Sequence, residues 1–295
     1  MEPHIVRLQG GLGNQMFQYA FGCGLREVTG RPVEFDTSFF RKAPGEHVPR
    51  ALALSTFGIQ PMEASTERID ALFDTNSPWR SRLSRMVPSL LPIRTFREQQ
   101  PYTFDPKVFD QTRAMLFDGY WQSARYFEGV QEEVRNAYHF VAPLAPEHAS
   151  RADHMRSSIS VSLHVRRGDY TTHSGAQHYF ITCPMEYYVR AMDHILGRFP
   201  TAEFHVFSDE PKWARQHLRS RAPIHFTESG PEEDGPRDMH LMSLCQHHIL
   251  ANSSFSWWAA WLNPSLSKIV VAPTRWLRDP SIPTPDLLPP DWVRC

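Results

Sequence analysis

The first 36 residues of the chain carry the pattern of one β-α-β unit, and this pattern constrains the fold more than any other feature. A short apolar strand at residues 4–8 runs into the glycine-rich turn at 10–13, and a helix follows with apolar residues at three- and four-residue spacing. Gly30 and Pro32 end this helix, and residues 33–36 form the next strand. Such a unit favours a parallel sheet covered by helices.

The second half of the chain repeats this alternation of strands and helices. Residues 159–165 alternate as a strand does, with Ser160, Ser162 and His164 on one face. Further elements are predicted in the order helix, strand, helix, helix, strand, helix and strand, at residues 184–199, 203–207, 211–218, 238–245, 248–251, 254–262 and 269–271. Two such halves predict an α/β protein with two Rossmann-like domains that face each other across a cleft.

The predicted domain boundaries follow from these two patterned halves. We expect an N-terminal domain at residues 1–150, a C-terminal domain at 151–275 and a proline-rich tail at 276–295 that lies extended on the surface. Residues of about 40–115 show no clean periodicity and contain several prolines, so only short elements between loops are predicted there.

Composition excludes several classes of protein. The 31 Lys and Arg residues balance 32 Asp and Glu residues, which argues against a general nucleic-acid binder. No apolar run reaches the roughly 18–20 residues that span a bilayer, and no signal peptide is present, so we expect a soluble, cytoplasmic protein. The cysteines lack zinc-like spacing and are predicted to be free thiols: Cys23, Cys183, Cys245 and Cys295.

Charged residues follow the first strand of the second half, at the end where parallel sheets bind ligands. His164 and Arg166 lie on one side of the chain there, and Gly168 permits a tight turn. The planar guanidinium of Arg166 can hold a diphosphate through two oxygens. An Arg–Asp pair with Asp169 that caps the strand at the surface is the alternative, and the sequence leaves it open.

Two further strand ends carry polar residues. Asp209 is a candidate acceptor for a guanine edge or a ribose, unless it or Ser208 simply caps the helix that Pro211 begins. Ser253 and Ser254 precede a helix whose N-terminus can bind an anion, although capping alone also explains them.

Metal-binding and nucleotide-binding motifs of the common types are missing from the sequence. The glycine-rich turn matches neither a Walker A loop nor G-x-G-x-x-G, and no D-x-D triplet occurs. The acidic run at residues 232–234 reads as a solvated loop, and His173 and His178 lack an acidic partner at ligand spacing. We therefore predict no metal site, and arginine and backbone N–H groups must neutralise any departing diphosphate.

The motifs together resemble the inverting α-1,2-fucosyltransferases, glycosyltransferase family 11, of the bacterial type. The resemblance rests on residues 10–19, on 119–122 and on the three strand-end segments, in the order of the family. It implies a GT-B-like architecture and transfer of L-fucose from GDP-β-L-fucose to the 2-hydroxyl of a β-galactoside, with inversion and without a metal or other cofactor.

The resemblance also implies roles for individual residues. Arg166 grips the β-phosphate beside His164, and Asn14 approaches the same diphosphate from the N-terminal half. The residues expected to line the phosphate and sugar pocket are Ser253, Ser254 and Phe255, with Asp209 nearest the nucleoside. Asp169 is the closest acidic candidate for the catalytic base, unless it only orients an arginine, and the base is left unresolved.

The acceptor is expected to bind mostly to the N-terminal half. Trp121 is a candidate aromatic face for galactose and Gln122 a candidate for fixing a hydroxyl, while a packed strand end explains Trp121 equally well. The basic, apolar residues 79–97 would suit an anionic lipid-linked acceptor and peripheral contact with the inner membrane, or simply form a solvated face. Other readings are another GDP-sugar or linkage, a non-catalytic nucleotide-sugar-binding protein, and a membrane anchor outside the given sequence.

Overall fold

The computed structural model describes residues 1–41, 50–72, 94–228 and 235–295, and these residues form two compact units. Unit 1 contains the described residues up to 139 together with 284–287, and unit 2 contains 140–283 and 288–295. The boundary between the two units lies after residue 139, whereas the sequence analysis predicted it after residue 150. The reason is that the helix Pro146–Ser157 packs against the sheet of unit 2.

Unit 1 is built on a four-stranded parallel sheet in the order β2-β1-β4-β3. Its strands are β1 His4–Arg7, β2 Val33–Asp36, β3 Thr95–Arg97 and β4 Leu116–Asp118. Its α-helices are α1 Leu12–Thr29, α2 Thr66–Leu72 and α3 Gln131–Ala137, and its 3₁₀ helices are Ser38–Arg41, Leu54–Phe57, Pro106–Asp110 and Ala124–Val130. The predicted β-α-β unit is confirmed.

Glycines determine how α1 ends and how closely it packs. Gly30 adopts a left-handed conformation with φ of 65° and donates its N–H to the Arg26 carbonyl, which ends the helix. Gly24 faces the 3₁₀ helix Ala124–Val130, where a Cβ atom would lie 2.0 Å from the Tyr126 carbonyl oxygen. Only glycine therefore permits this backbone-to-backbone approach.

Unit 2 contains a six-stranded parallel sheet in the order β10-β9-β8-β5-β6-β7. The strands are β5 Ser160–Val165, β6 Glu203–Ser208, β7 Ile224–Phe226, β8 His247–Ile249, β9 Val270–Ala272 and β10 Val293–Arg294. The first strand, β5, is central; the chain builds outward on one side and then on the other. This is the strand order of doubly wound, Rossmann-type sheets.

Helices connect these strands. They are α4 Pro146–Ser157, α5 Gly168–Thr172, α6 Ser174–Tyr179, α7 Met185–Leu196, α8 Pro211–His217, α9 Gly235–Leu244 and α10 Ser254–Leu262. All six residues of β5 are buried, including Ser160, Ser162 and His164. Both faces of the central strand are thus covered, as expected in a parallel sheet. The predicted α/β class with two Rossmann-like units is confirmed.

The tail does not lie extended on the surface, and that prediction is wrong. Its last strand, β10, pairs with β9, and Leu287, Leu288 and Trp292 are buried. The Trp292 ring lies 5.4 Å from that of Trp257, so apolar side chains between the prolines anchor this segment. The four cysteines are free thiols, as predicted. Among the described residues, no helix is long and apolar enough to cross a bilayer.

Candidate active site

The carboxyl end of the unit 2 sheet collects the residues that the sequence singled out. β5 pairs with β6 on one side and with β8 on the other, so the direction of chain building reverses between β5 and β8. Ligands of doubly wound sheets bind outside the carboxyl ends of the strands at this reversal. Val165 and Ser208 are paired at the ends of β5 and β6, which brings the residues after them together.

Arg166 lies between two carboxylates at this edge. Its guanidinium contacts Asp169 at 2.8 Å and Asp209 at 3.1 Å, and its side chain is 25% exposed. Burial alone would lower the pKa of Arg166, but attraction to the two carboxylates raises it above its ordinary value. The side chain is therefore a fixed cation whose orientation is set by both acids.

Asp209 is held by the turn that follows β5. Its Oδ1 accepts a hydrogen bond from the Arg167 backbone N–H at 3.0 Å, while Oδ2 contacts Arg166. A Cβ atom on Gly168 would lie 2.7 Å from Oδ2, so a larger residue there would displace the Asp209 carboxylate. Burial raises the pKa of the Asp209 carboxyl, and Arg166 opposes this shift only in part. The contact with a nucleoside stays a prediction, because the described contacts of Asp209 are within the protein.

Arg167 is directed to a different group of residues. Its Nε donates to Glu210 at 3.1 Å, and its guanidinium lies 3.9 Å from the centre of the Trp213 ring. The two adjacent guanidinium groups thus have separate surroundings: that of Arg166 contacts Asp169 and Asp209, and that of Arg167 contacts Glu210.

His164 brings a neutral imidazole to the same edge. The residue is 5% exposed, and its Nδ1 is buried without a hydrogen-bond partner among the described residues. Burial, with a smaller contribution from Arg166, lowers the pKa of His164 to about 3. Its ring lies 5.6 Å from that of Phe255, at the start of α10. A buried ring nitrogen without a partner is unusual and requires an explanation.

The start of α10 supplies a helix N-terminus beside His164. Ser253 caps the helix by accepting a hydrogen bond from the Phe255 N–H at 3.3 Å, so the capping reading is confirmed. Asn252 is fixed by hydrogen bonds to the carbonyls of Ile181 and Trp276 at 2.7 and 2.8 Å. The positive end of the helix dipole favours an anion at this position, and Ser254 begins the helix there.

Asn14 and Gln122, both in unit 1, are in contact with each other. The Gln122 Nε2 donates to the Asn14 Oδ1 at 2.8 Å, and the Gln122 residue is 6% exposed. The sequence placed one residue with the donor sugar and the other with the acceptor. Their roles stay predictions, whereas the contact between them was not foreseen because it joins residues 108 positions apart.

Trp121 does not present an exposed aromatic face, and that interpretation is wrong. Its side chain is fully buried, and its ring stacks on Phe21 with centroids 4.4 Å apart. The core-packing alternative is the one that the structure supports. The backbone at Trp121 is left-handed with φ of 54°, which is a rare, strained conformation for a bulky residue.

A cavity of about 270 Å³ lies beside Trp121 in unit 1. Its lining combines aromatic rings with polar side chains and includes Glu98, Thr103, Phe104, Trp121 and Tyr126. Glu98 directly follows β3, and its carboxylate accepts hydrogen bonds from the N–H groups of Tyr120 and Trp121 at 2.8 and 3.2 Å.

Glu98 is a candidate functional residue that the sequence analysis missed. Burial raises the pKa of its carboxyl to about 7, and the two backbone hydrogen bonds offset this shift only in part. Carboxyl groups that line a cavity and have a shifted pKa are common at functional sites. The available signal was its position after a strand, but β3 has only three residues and shows no periodicity.

Some predictions fall on parts of the chain that are not described. Of the basic, apolar segment 79–97, only residues 94–97 are described, and the acidic run 232–234 lies outside the described residues. In the described part of the segment, Arg94 donates a hydrogen bond to Glu2, and the Phe96 ring lies 5.8 Å from that of Phe117. These two residues therefore make contacts within the protein.

The site on unit 2 has the chemistry of a binding site for a phosphorylated donor. A fixed cation, a neutral imidazole with an unused nitrogen and a helix N-terminus lie at one sheet edge. Each of these groups stabilises negative charge on oxygen without a proton transfer.

Comparison with known proteins identifies the family of the chain. A family model described as "Glycosyl transferase family 11" matches residues 94–295. The chain is 30% identical to an α-1,2-colitosyltransferase from Escherichia coli over 98% of both chains. It is 31% identical to the O-antigen biosynthesis glycosyltransferase WbnK from the same organism, over 91% of this chain and 93% of WbnK.

Two further matches are more distant. Galactoside α-(1,2)-fucosyltransferase 1 of Sus scrofa is 25% identical over 86% of this chain and 63% of its own length. A solved structure of a variant of Arabidopsis thaliana FUT1 in complex with GDP aligns with a TM-score of 0.50, at 11% identity. It covers 92% of this chain and 70% of that chain, and it supports the fold alone.

The fold and the matches define the class of the protein, which is a glycosyltransferase with GT-B-like architecture. Within that class, the chain belongs to glycosyltransferase family 11. The predicted family membership is thereby confirmed.

Proposed function

We propose that this protein transfers L-fucose from GDP-β-L-fucose to the 2-hydroxyl of a β-galactoside, with inversion and without a metal ion. The observation that carries the donor half is the position of Arg166 between Asp169 and Asp209, beside the His164 Nδ1, which has no hydrogen-bond partner in the described part of the chain. Relatives named for α-1,2 transfer of colitose or fucose support the linkage.

The chemistry requires a stabilised leaving group more than a strong nucleophile. Departure of GDP leaves oxocarbenium character on the sugar, and negative charge develops on the β-phosphate. Arg166 forms an ion pair with the β-phosphate, and His164 donates a ring N–H to it. The positive end of the α10 dipole stabilises the same charge.

Asp169 is assigned to orienting Arg166. Its carboxylate contacts the Arg166 guanidinium at 2.8 Å, which holds the cation toward the sheet edge. This contact commits the carboxylate to the guanidinium of Arg166. We therefore place Asp169 among the positioning residues and leave the base for the acceptor hydroxyl unassigned.

The cavity beside Trp121 is proposed as a site for one hexose of the acceptor. Sugars bind to aromatic surfaces edged by polar groups. Phe104 and Tyr126 supply the rings here, and Glu98 supplies a carboxylate. A volume of about 270 Å³ is near the lower end of ligand sites, which suits a single sugar unit. An acceptor glycan of O-antigen biosynthesis fits the name of the relative WbnK.

Transfer from GDP-fucose to lactose in the presence of EDTA tests the proposal, with the linkage of the product determined by NMR. We expect an α-linked fucose on the 2-hydroxyl of galactose. Hydrolysis of GDP-fucose without transfer would support the donor but exclude lactose. Strong inhibition by EDTA that Mg²⁺ or Mn²⁺ reverses would contradict metal-independent transfer.

A second donor has a specific observation in its favour, namely the similarity to the α-1,2-colitosyltransferase over nearly the full length. Colitose is fucose without its 3-hydroxyl, so the two donors present the same diphosphate to Arg166. Competition between GDP-fucose and GDP-colitose, scored as the ratio of kcat/KM, distinguishes them. A ratio above about tenfold, or about 1.4 kcal/mol, in favour of GDP-colitose would reassign the donor.

Replacement of His164 by phenylalanine is expected to weaken GDP binding about tenfold or more. Phenylalanine keeps the ring but removes a donor to a charged phosphate, and such hydrogen bonds contribute about 1.5–3 kcal/mol. Isothermal titration with GDP measures the change. His205→Phe is the matched control, because His205 is also buried and unpartnered among the described residues but lies within β6. Equal losses in both variants would contradict the role of His164.

A further inference from the structure

Two histidines and a glutamate meet on unit 2, away from the edge that carries Arg166. The Nε2 of His154 lies 2.8 Å from the Oε2 of Glu203, and the Nε2 of His225 lies 3.0 Å from the same oxygen. The three residues come from α4, from the first position of β6 and from β7. The tertiary fold thus brings the three residues together, and their spacing in the sequence does not predict this cluster.

The donor atoms form a set that transition metals prefer. The three ligand atoms all lie within 4.8 Å of one another. Two imidazole nitrogens and one carboxylate oxygen form the ligand set of several zinc sites, where water takes the fourth position. Bond lengths of about 2.0–2.2 Å place tetrahedral ligands roughly 3.4 Å apart, so only small side-chain rotations are needed.

The surroundings hold the ligands in position while leaving them accessible. The side chains of His154 and His225 are 49% and 41% exposed, so an ion can enter from solvent. Arg151, on the same helix as His154, donates to the Phe226 carbonyl at 3.1 Å and fastens α4 to β7. This hydrogen bond joins the helix and the strand that carry the two histidines.

His205 provides a second observation at this cluster. Its ring stacks on that of His225 with centroids 4.9 Å apart and an interplanar angle of 21°. The residue is 1% exposed, and neither ring nitrogen has a partner among the described residues. The buried His205 ring therefore supports His225 from behind. Stacking on a rigid neighbour restricts the rotation of a ligand ring, as second-shell contacts do.

We propose that His154, Glu203 and His225 bind a divalent transition-metal ion of the zinc class. Glu203 begins β6 and Asp209 follows its end, so a six-residue strand separates this site from the Arg166 edge by about 20 Å. The ion is therefore distant from the transfer chemistry and does not conflict with metal-independent transfer. Its effect is structural, because it joins the helix α4 to the sheet.

Titration of the full chain with Zn²⁺ tests the proposal, after removal of metals by EDTA and dialysis. We expect one high-affinity site by calorimetry, and a rise in Tm of roughly 5–10 °C at a hundredfold excess over Kd. Co²⁺ in the same site should give the intense visible absorption of tetrahedral coordination. Both signals should be lost in His154→Ala and His225→Ala.

His148→Ala is the matched control, because His148 lies on the same helix but outside the cluster. This variant should bind Zn²⁺ as the unmodified protein does. Glu203→Gln keeps the shape of the side chain and should weaken binding at least tenfold, which covers the case of a histidine variant that does not fold. Absence of binding, or equal binding by the variants and the unmodified protein, would overturn the proposal.

Discussion

Arg166→Ala is expected to lower kcat for sugar transfer about 100- to 1,000-fold, the loss typical when one group that stabilises a developing anion is removed. Arg166 is the cation that Asp169 and Asp209 hold at the sheet edge. Its loss leaves the departing phosphate with a neutral imidazole and a helix dipole. Steady-state kinetics with saturating GDP-fucose measures the effect. Arg166→Lys should recover only part of the rate, since an ammonium group cannot hold two oxygens in one plane.

The adjacent arginine provides the control for this experiment. Arg167→Ala removes the same charge from the next residue, but that side chain contacts Glu210 and Trp213 instead. We expect its kcat to stay within a few-fold of the unmodified protein. Circular dichroism should show that both variants are folded. Equal activity of Arg166→Ala and Arg167→Ala would contradict the proposed role of Arg166.

The second large effect concerns the pH dependence of stability. The Glu98 carboxyl has a pKa of about 7 in the folded protein against an ordinary value of 4.5, because it is buried. A raised pKa means that the contribution of Glu98 is fully favourable below pH 4.5 and is lost as the pH rises through about 7. A shift of this size corresponds to about 3 kcal/mol. The free energy of unfolding should therefore fall by up to about 3 kcal/mol across this window.

Urea denaturation from pH 4.5 to pH 8 measures this loss. In Glu98→Gln, the difference in the free energy of unfolding between pH 4.5 and pH 8 should be about 3 kcal/mol smaller than in the unmodified protein. Any cost of the amide itself is the same at both pH values and cancels in this difference. Glu132→Gln, an exposed change in the same unit, should leave the pH profile unaltered. Parallel profiles for Glu98→Gln and the unmodified protein would show that Glu98 does not titrate in this range.

The strands that the sequence predicts correctly are those with a strong local signal. Residues 159–165 alternate clearly and 33–36 follows a glycine stop, and both form strands. β3 and β4 have three residues each, which is too short for periodicity to distinguish them from a loop. The tail was misjudged because its prolines indicate an extended chain, whereas Trp292 and its apolar neighbours bury the segment.

The candidate site on unit 2 is predictable in outline but not in its contacts. Polar residues after a strand indicate a ligand edge, and Arg166 and Asp209 satisfy that rule. Their contact depends on the register that pairs Val165 with Ser208, which a single sequence does not reveal. The buried Trp121 shows the same limit, because side-chain direction after a strand depends on the left-handed turn at that residue.

Gly24 has a consequence for the history of this family. A Cβ atom at this position would lie 2.0 Å from the Tyr126 carbonyl oxygen, so any side chain would force α1 and the 124–130 turn apart. Tyr126 also lines the cavity beside Trp121, so such a separation would disturb that cavity. A relative that carries a larger residue at this position must therefore have rerouted the turn. In a set of diverged sequences, a glycine at this position therefore marks the lineages that share this cavity, and a larger residue marks those in which the cavity has changed.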